Sequence, residues 1–175
     1  AIRERAVELR TIFQNSPIGI TYIGKDGTVL DCNDRHAEIM GSTPEKILGM
    51  NLREEIENEE LRAAALGALA GEQTVFEAEY TSISGGRTLV VRSIFNPTEP
   101  GTSPTEVINT TEDITARRQM EQELLEAKDR LQAIIDGVHS LVFIKNTKGE
   151  HLLVNSYFEE AFDIEIPDED ADKMQ

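Results

Sequence analysis

The chain carries one local sequence pattern twice. Shifted by 122 residues, Leu9–Gly41 aligns without a gap onto Leu131–Asp163, and Asn33 falls on Asn155. A turn glycine recurs at the same offset, so the match includes residues that shape the backbone as well as apolar ones. Internal repetition of this kind indicates a repeated structural unit. The sequence therefore predicts one complete module and the opening third of a second, which begins near residue 138.

Between the two copies, apolar residues recur at alternating steps of four and three. This spacing places them on one face of a helix and repeats every seven residues, as in the seam of a coiled coil. Because the apolar stripe is narrow and the helix is long, residues 115–137 are expected to connect domains rather than to pack within one. The pattern predicts a parallel homodimer whose seam consists of Met120, Leu124, Ala127, Leu131, Ile134 and Val138.

The charge of the chain excludes some partners. Asp and Glu number 33 against 17 Lys and Arg, which gives a net charge of -16. Such a chain is repelled by phosphate backbones and anionic lipids, so neither nucleic acid nor a membrane surface is an expected partner. A single cysteine, Cys32, excludes an internal disulfide and leaves the redox compartment open, and the cytoplasm is the simpler expectation for the location. No signal peptide and no run of 18 apolar residues is present, so this segment is not expected to contact or cross a membrane.

Local signals predict five strands with helices between the second and the third. Residues 1–15 form an amphipathic helix that Pro17 ends. The strands are expected at Ile18–Ile23, Thr28–Cys32, Thr74–Thr81, Arg87–Asn96 and Glu106–Glu112. The helical segments between them are expected at Arg35–Met40, Ser42–Gly49, Asn51–Glu57 and Glu59–Ala70, and a hairpin turn at Ser84–Arg87.

This order of elements is typical of an α+β fold, with a five-stranded antiparallel sheet wrapped by short helices and followed by a long connector helix of coiled-coil type. The other face of the sheet is not polar either, because Val90 and Ile94 are apolar on the side that alternates with Leu89 and Val91. That face therefore needs a cover. Helix 1–15 is the nearest candidate, alone or with the copy from a partner chain.

Five stretches of the sequence resemble the PAS family of sensory domains: Ile12–Ile20, Asp26-Gly27, Asn33, Ile47–Gly49 and Asp113–Arg118. The most specific is the last, which stands at the end of the fifth strand. The resemblance covers Leu9–Arg118 as a full domain and Leu131–Asp163 as the start of another. It divides the chain into a helix at 1–15, a PAS domain at 16–114, a connector at 115–137 and an incomplete second PAS domain at 138–175.

The resemblance implies that the module detects a small ligand or redox cue and relays it through the connector to an output domain in the same chain. A sensor histidine kinase of a two-component system is the expected parent, and a diguanylate cyclase is the next. A ligand-free module for dimerisation and linkage is the competing interpretation. No clustered nucleophile, base and oxyanion donors are found, so this segment is not expected to be an enzyme.

In this family the ligand pocket lies between the inner face of the sheet and the short helices. Apolar periodicity and polar strand residues give the candidates for its lining: Tyr22, Ile39, Met40, Leu52, Ile56, Leu61, Ala65, Phe76, Ala78, Tyr80, Arg92 and Asn109. An inward Arg92 would favour a carboxylate ligand, and a solvated Arg92 at the sheet edge is the alternative.

The resemblance also implies a signal relay where the last strand meets the connector, formed by Asp113, Ile114, Thr115 and Arg118. Asp113 or Thr115 can cap the connector helix, because the amide groups of its first turn lack partners. Arg117 or Arg118 is expected to pair with Asp113 or Glu112.

The identity of any cofactor is left open, but the sequence argues against two of them. Flavin-binding light sensors of this family use a reactive cysteine in an Asn-Cys-Arg-type motif, whereas Cys32 precedes Asn33. Haem-binding members need a histidine on the long helix before the third strand, and Glu59–Ala70 has none. His36 is expected on a solvated helix face. His139 and His151 lack metal-ligand spacing, so no metal site is expected.

Overall fold

The structure, a computed structural model, describes residues 2–82 and 86–163 of the 175-residue chain. The chain divides into two compact units, Ala1–Arg118 (unit 1) and Gln119–Gln175 (unit 2). Ser84 and Gly85 of the predicted hairpin turn lie outside the described residues, as does the acidic tail after Asp163. The finer division into four segments stays a prediction.

Unit 1 is built on an antiparallel sheet with the strand order β2-β1-β5-β4-β3. The strands are β1 Gly19–Ile23, β2 Val29–Cys32, β3 Thr74–Thr81, β4 Thr88–Pro97 and β5 Val107–Asp113. The helices are α1 Ile2–Gln14, α2 Asp34–Met40, α3 Pro44–Ile47 and α4 Glu59–Leu69, followed by the start of α5 Thr115–Asp136. The predicted α+β fold, a five-stranded antiparallel sheet with short helices inserted between the second and third strands, is confirmed.

The helix predicted at Asn51–Glu57 is wrong. Met50 and Leu52 instead pair with the hairpin formed by β1 and β2. The backbone amide of Val29 donates to the carbonyl of Met50 at 2.9 Å, and the amide of Leu52 donates to the carbonyl of Gly27 at 2.9 Å. Within the segment only one turn forms, in which the amides of Glu54 and Glu55 donate to the carbonyl of Asn51 at 3.1 and 2.9 Å, and it does not continue as a helix.

The hydrophobic core lies between the inner face of the sheet and the helices. On β4 every second side chain is buried, so Leu89, Val91, Ser93 and Phe95 face inward. Burying one Val, Leu or Phe side chain stabilises the fold by roughly 1.5–3 kcal/mol. At seven and four residues, α2 and α3 are too short to be stable alone, so this packing holds them.

The outer face of the sheet stays open in the single chain, contrary to the expectation that α1 covers it. Val75 and Ile108 on that face are exposed, and so are Leu9 and Ile12 of α1. Helix α1 is attached elsewhere, because Arg10 pairs with Asp31 of β2.

The side chain of Asn33 joins three elements at one point. Its Oδ1 accepts hydrogen bonds from the amides of Ile20 at 2.8 Å and His36 at 2.9 Å. Its Nδ2 donates to the carbonyls of Phe13 at 3.0 Å and Ile18 at 2.9 Å. The residue is fully buried, so the end of α1, the start of β1 and the first turn of α2 are fixed by one amide.

Unit 2 contains the rest of α5, followed by β6 Phe143–Lys145, β7 His151–Val154 and α6 Ser156–Phe162. Asn155 has the role of Asn33 at the same 122-residue offset. Its Oδ1 accepts from the amides of Val142 and Phe158, and its Nδ2 donates to carbonyls that include those of Ile135 and Ser140. The repeat seen in the sequence is therefore also a repeat of hydrogen bonds.

The predicted seam residues are all exposed in the single chain, with Leu124 at 73%, and the last of them, Val138, lies two residues beyond the end of α5. Each of the 22 residues of α5 is described and none is buried. Their pairing with a second copy stays a prediction. Across the described residues, no helix combines the length and apolar character that crossing a membrane requires.

Replacing Asn33 by alanine should lower the free energy of unfolding of unit 1 by about 3 kcal/mol, because each buried backbone group left without a partner costs roughly 1–3 kcal/mol. Asn58→Ala is the matched control. Asn58 caps α4 through one exposed bond to the amide of Leu61, so its loss should cost about 1 kcal/mol. Urea unfolding followed by circular dichroism measures both, and equal losses would contradict the special role of Asn33.

Candidate functional site

A cavity of about 760 Å³ lies in unit 1 between the inner face of the sheet and the helices. Strands β1, β4 and β5 form one wall, and α2, α3 and the segment from Met50 to Leu61 form the other. The volume falls in the range of about 300–1,000 Å³ that is usual for small-molecule sites. This is the position that the family resemblance predicted for a ligand pocket.

Polar side chains gather on the strands that form one wall of the cavity. Thr21 of β1 lies opposite Asn109 of β5, and Ser93 of β4 lies opposite Thr111 of β5. The hydroxyls of Ser93 and Thr111 are 3.0 Å apart, and Asn109 Nδ2 donates to Thr111 Oγ1 at 3.2 Å. All four side chains are buried and line the cavity. Together with His36, which also lines it, they form what we call the polar floor.

His36 reaches the polar floor because α2 packs on β1. A Cβ atom at Gly19 would lie 2.8 Å from His36 Cα, so only glycine allows this approach. His36 is 7% exposed, and burial lowers the pKa of its imidazole to about 4, which leaves the ring neutral at neutral pH. The prediction that His36 is solvated is therefore wrong.

Three atoms of the polar floor have no hydrogen-bond partner among the described residues: Thr21 Oγ1, His36 Nδ1 and Asn109 Oδ1. Ser42 Oγ, between α2 and α3, is a fourth such atom that belongs to the cavity lining. A buried polar group without a partner costs roughly 1–3 kcal/mol, and native proteins contain few of them. Four in one cavity indicate that a bound molecule or ordered water completes their hydrogen bonding.

Charged side chains of the lining are exposed, so they stand where the cavity meets solvent. Among the described lining residues whose side chains can reach the mouth these are Lys46, Glu55 and Glu57, whereas Glu79 of β3 alternates with the inward Ala78 and Tyr80 and faces outward. The rim therefore carries more negative than positive charge, whereas the polar floor is uncharged.

Six of the predicted lining residues line the cavity: Met40, Leu52, Ile56, Leu61, Tyr80 and Asn109. Ile39, Ala65 and Phe76 are buried in the core, and Ala78 packs against it. The role of any of them in binding stays a prediction. Sequence reasoning missed Thr21, His36, Ser93 and Thr111, although strand alternation places Thr21 on the same face as the apolar Ile23.

The structure corrects the placement of Tyr22 and Arg92, which lie on the outer face of the sheet. Tyr22 alternates with the buried Thr21 and Ile23, and its hydroxyl donates to the carboxylate of Glu106. Arg92 alternates with the buried Val91 and Ser93, and its Nε lies 3.6 Å from Glu77 Oε2. Neither side chain points into the cavity, so Arg92 provides no basis for a carboxylate ligand.

The junction of β5 and α5 is fixed to β4. The amide of Ile114 donates to the carbonyl of Val90 at 2.8 Å, and the amide of Val90 donates to Thr115 Oγ1 at 2.8 Å. Asp113 Oδ1 accepts from the amide of Thr115 at 3.0 Å, as expected for a helix cap. Partial burial tends to raise the pKa of Asp113, but hydrogen bonds from Thr115 and the charge of Arg87 outweigh it and lower the pKa.

Arg118 and Asp113 at this junction each pair with a residue other than the predicted one. Arg118 pairs with Glu77 of β3, and Asp113 pairs with Arg87 at 3.1 Å. The sequence suggested neighbours along the chain, whereas Glu77 lies on β3 and Arg87 immediately precedes β4.

Cys32 at the end of β2 is buried, and burial followed by the charge of Asp31 raises the pKa of its thiol to about 11. A raised pKa disfavours the reactive thiolate. Within residues 2–82 and 86–163, no group of three or more His, Cys, Asp or Glu side chains is placed to hold a metal ion.

Comparisons with known proteins point to one fold. The family described as the PAS fold matches residues 13–119. The PAS domain of an HTR-like protein from Haloarcula marismortui has 24% identity and a TM-score of 0.51, over 65% of this chain and 94% of that one. A domain of a sensory box sensor histidine kinase/response regulator from Geobacter sulfurreducens has 16% identity and a TM-score of 0.51, over 65% and 97%.

An RNA-binding light-oxygen-voltage receptor has 19% identity and a TM-score of 0.57, over 73% of this chain and 38% of that one. At these identities the similarities show a shared fold and nothing finer. No curated protein matches the chain.

The low pKa of His36 predicts a loss of stability in acid. The unfolded chain binds a proton below its usual pKa of about 6.5, whereas the folded chain binds it only near pH 4. As the pH falls through this window, protonation of His36 in the unfolded chain should lower the free energy of unfolding of the wild type by up to about 3 kcal/mol. His36→Gln should lack this part of the loss, and the exposed His139→Gln should retain it. Urea unfolding at several pH values measures the difference, and parallel profiles for all three proteins would contradict it.

Proposed function

The chain belongs to the PAS family of sensory domains, and we propose that unit 1 binds a small molecule in its cavity and relays its presence through α5 to an output domain. The observation that carries this proposal is the set of four buried polar atoms without partners in a cavity of about 760 Å³. Apolar side chains at these positions would stabilise the unit better, so a module that only dimerises would not need them.

The relay is supported by the strand that the cavity and the junction share. Val91 and Ser93 of β4 line the cavity, and the backbone of Val90 binds Ile114 and Thr115 at the start of α5. A ligand that moves β4 therefore moves the first turn of α5. In this proposal Asp113, Ile114, Thr115 and Arg118 form the relay.

For the rest of the parent protein, we propose that unit 2 opens a second PAS domain, because Asn155 repeats the hydrogen bonds of Asn33. The proposed output domain is that of a sensor histidine kinase in a two-component system, which agrees with the type of protein that contains the Geobacter sulfurreducens domain. A diguanylate cyclase is the alternative output. The proposed location is the cytoplasm, in agreement with the single cysteine.

A ligand-free module for dimerisation is the second candidate function, and the exposed seam of α5 favours it. The two candidates differ in what the cavity does. A sensor needs a cavity that admits molecules, whereas a dimerisation module needs only the seam.

A fragment screen on the full 175-residue chain separates the two candidates. The panel consists of uncharged, anionic and cationic molecules in equal numbers, and binding is followed by the methyl resonances of Met40, Met50 and Ile56 in the cavity. Val91→Phe should weaken binding by about 1 kcal/mol or more, because it fills space beside the ligand. Val90→Phe, next to it and not on the inner face, is the control and should leave binding unchanged. A panel with no molecule that shifts these resonances would favour the ligand-free module.

The seam predicts a dimer of about twice the 19.5 kDa chain mass in solution. Leu124→Lys should shift the chain to monomer, because a charge in a coiled-coil seam is costly to bury. Leu125→Lys is the matched control, since Leu125 is 52% exposed and lies off the seam. Multi-angle light scattering distinguishes these outcomes, and a wild-type monomer at tens of micromolar would exclude the dimer.

A further inference from the structure

The chemistry of the polar floor narrows the class of ligand that the cavity takes. We propose that the floor binds the uncharged polar head of a molecule that both donates and accepts hydrogen bonds, such as a primary amide or an alcohol, with an apolar body attached. This inference rests on the sensory function proposed above and specifies the ligand of that same site.

The hydrogen-bonding inventory sets the first requirement. One N–H of Asn109 Nδ2 is bonded to Thr111, and Asn109 Oδ1, which can only accept, has no partner within the described residues. The ligand must therefore supply an N–H or O–H donor. The hydroxyl of Thr21, directly opposite on β1, both donates and accepts, and its Cβ is expected about 5 Å from that of Asn109. A head with both functions in one small group fits the two atoms together.

The absence of charge in the polar floor sets the second requirement. Thr21, Ser93, Asn109 and Thr111 carry no charge, and His36 is neutral at neutral pH. A carboxylate or phosphate head would be buried there without a cation, which disfavours its binding. An ammonium head would be buried without a carboxylate, which disfavours its binding in the same way.

The rim adds to the discrimination against anions. Two carboxylates, those of Glu55 and Glu57, stand with Lys46 at the mouth, on a chain of net charge -16. Anions are repelled on approach. Cations are attracted to the rim, but they meet no opposite charge in the floor.

Apolar side chains account for the body of the ligand. Ile23, Val91 and Phe95 lie on the sheet side of the cavity, and Met40, Ile56 and Leu61 lie on the helix side. Burial of the apolar surface of a ligand between these two layers stabilises the complex. The polar head then fixes the orientation of the ligand.

The test uses the fragment panel with a matched trio of probes: indole-3-acetamide, indole-3-acetate and tryptamine. They share one apolar body and differ in an uncharged, an anionic and a cationic head. The amide should bind the full chain at least tenfold more tightly than the other two, as measured by the cavity methyl resonances. Across the panel, molecules that bind in the cavity should be predominantly uncharged.

A second measurement separates a ligand contact from a structural role. Thr21→Val keeps the shape of the side chain and removes its hydroxyl, so binding of uncharged amides and alcohols should weaken about three- to tenfold. The ligand-free variant should unfold at the same temperature as the wild type or higher, since the lost hydroxyl has no partner within the described chain. Thr110→Val is the control for both binding and unfolding temperature, because Thr110 follows Asn109 on β5 and lies off the inner face.

The outcomes test the proposed ligand class separately from the proposed sensory function. Preferential binding of carboxylates or amines in the cavity would overturn the ligand class and leave the sensory function standing. Unchanged amide binding by Thr21→Val would also overturn the assignment of the polar head to the floor. A panel in which no class binds in the cavity would overturn the sensory function and the ligand class together.

Discussion

The buried amide of Asn33 is the contact on which the rest of unit 1 depends. Its four hydrogen bonds satisfy backbone groups at the end of α1, the start of β1 and the first turn of α2, which would otherwise be buried without partners. Because α2 carries His36 over the sheet, the shape of the cavity follows from this amide. Asn155 makes the corresponding bonds in unit 2, so the constraint belongs to the module and not to one position in the chain.

The cavity shows a conflict between stability and binding. Thr21, Asn109 and His36 keep buried polar atoms that the described protein does not satisfy, at a cost that apolar residues would avoid. The same atoms give a bound molecule a fixed set of partners. In the proposed function β4 joins binding to relay, because Val91 and Ser93 line the cavity and the backbone of Val90 holds the start of α5.

The sequence predicted the elements well where the signal was local. Strand β3 has the predicted bounds, Thr74–Thr81, because alternation and turn residues define them. The sequence predicted side-chain positions poorly where contacts between distant residues determine them. Tyr22 and Arg92 were assigned to the wrong face because both faces of these strands carry apolar residues, and a shift of one residue exchanges the faces. The burial of His36 depends on the space that Gly19 leaves on β1. Gly19 lies far from His36 along the chain, so the local sequence wrongly predicts that His36 is solvated.

The exposed seam of α5 has a consequence for how association of two copies would depend on salt concentration. Two copies that met along it would each bring a net charge of -16. At 0.1 M salt the Debye length is about 10 Å, so much of this repulsion is screened, and at lower salt it is not. Apolar contact does not weaken with added salt in the same way. Association along the seam would therefore be favoured by a concentrated electrolyte and opposed by a dilute one, the reverse of a complex held by ion pairs.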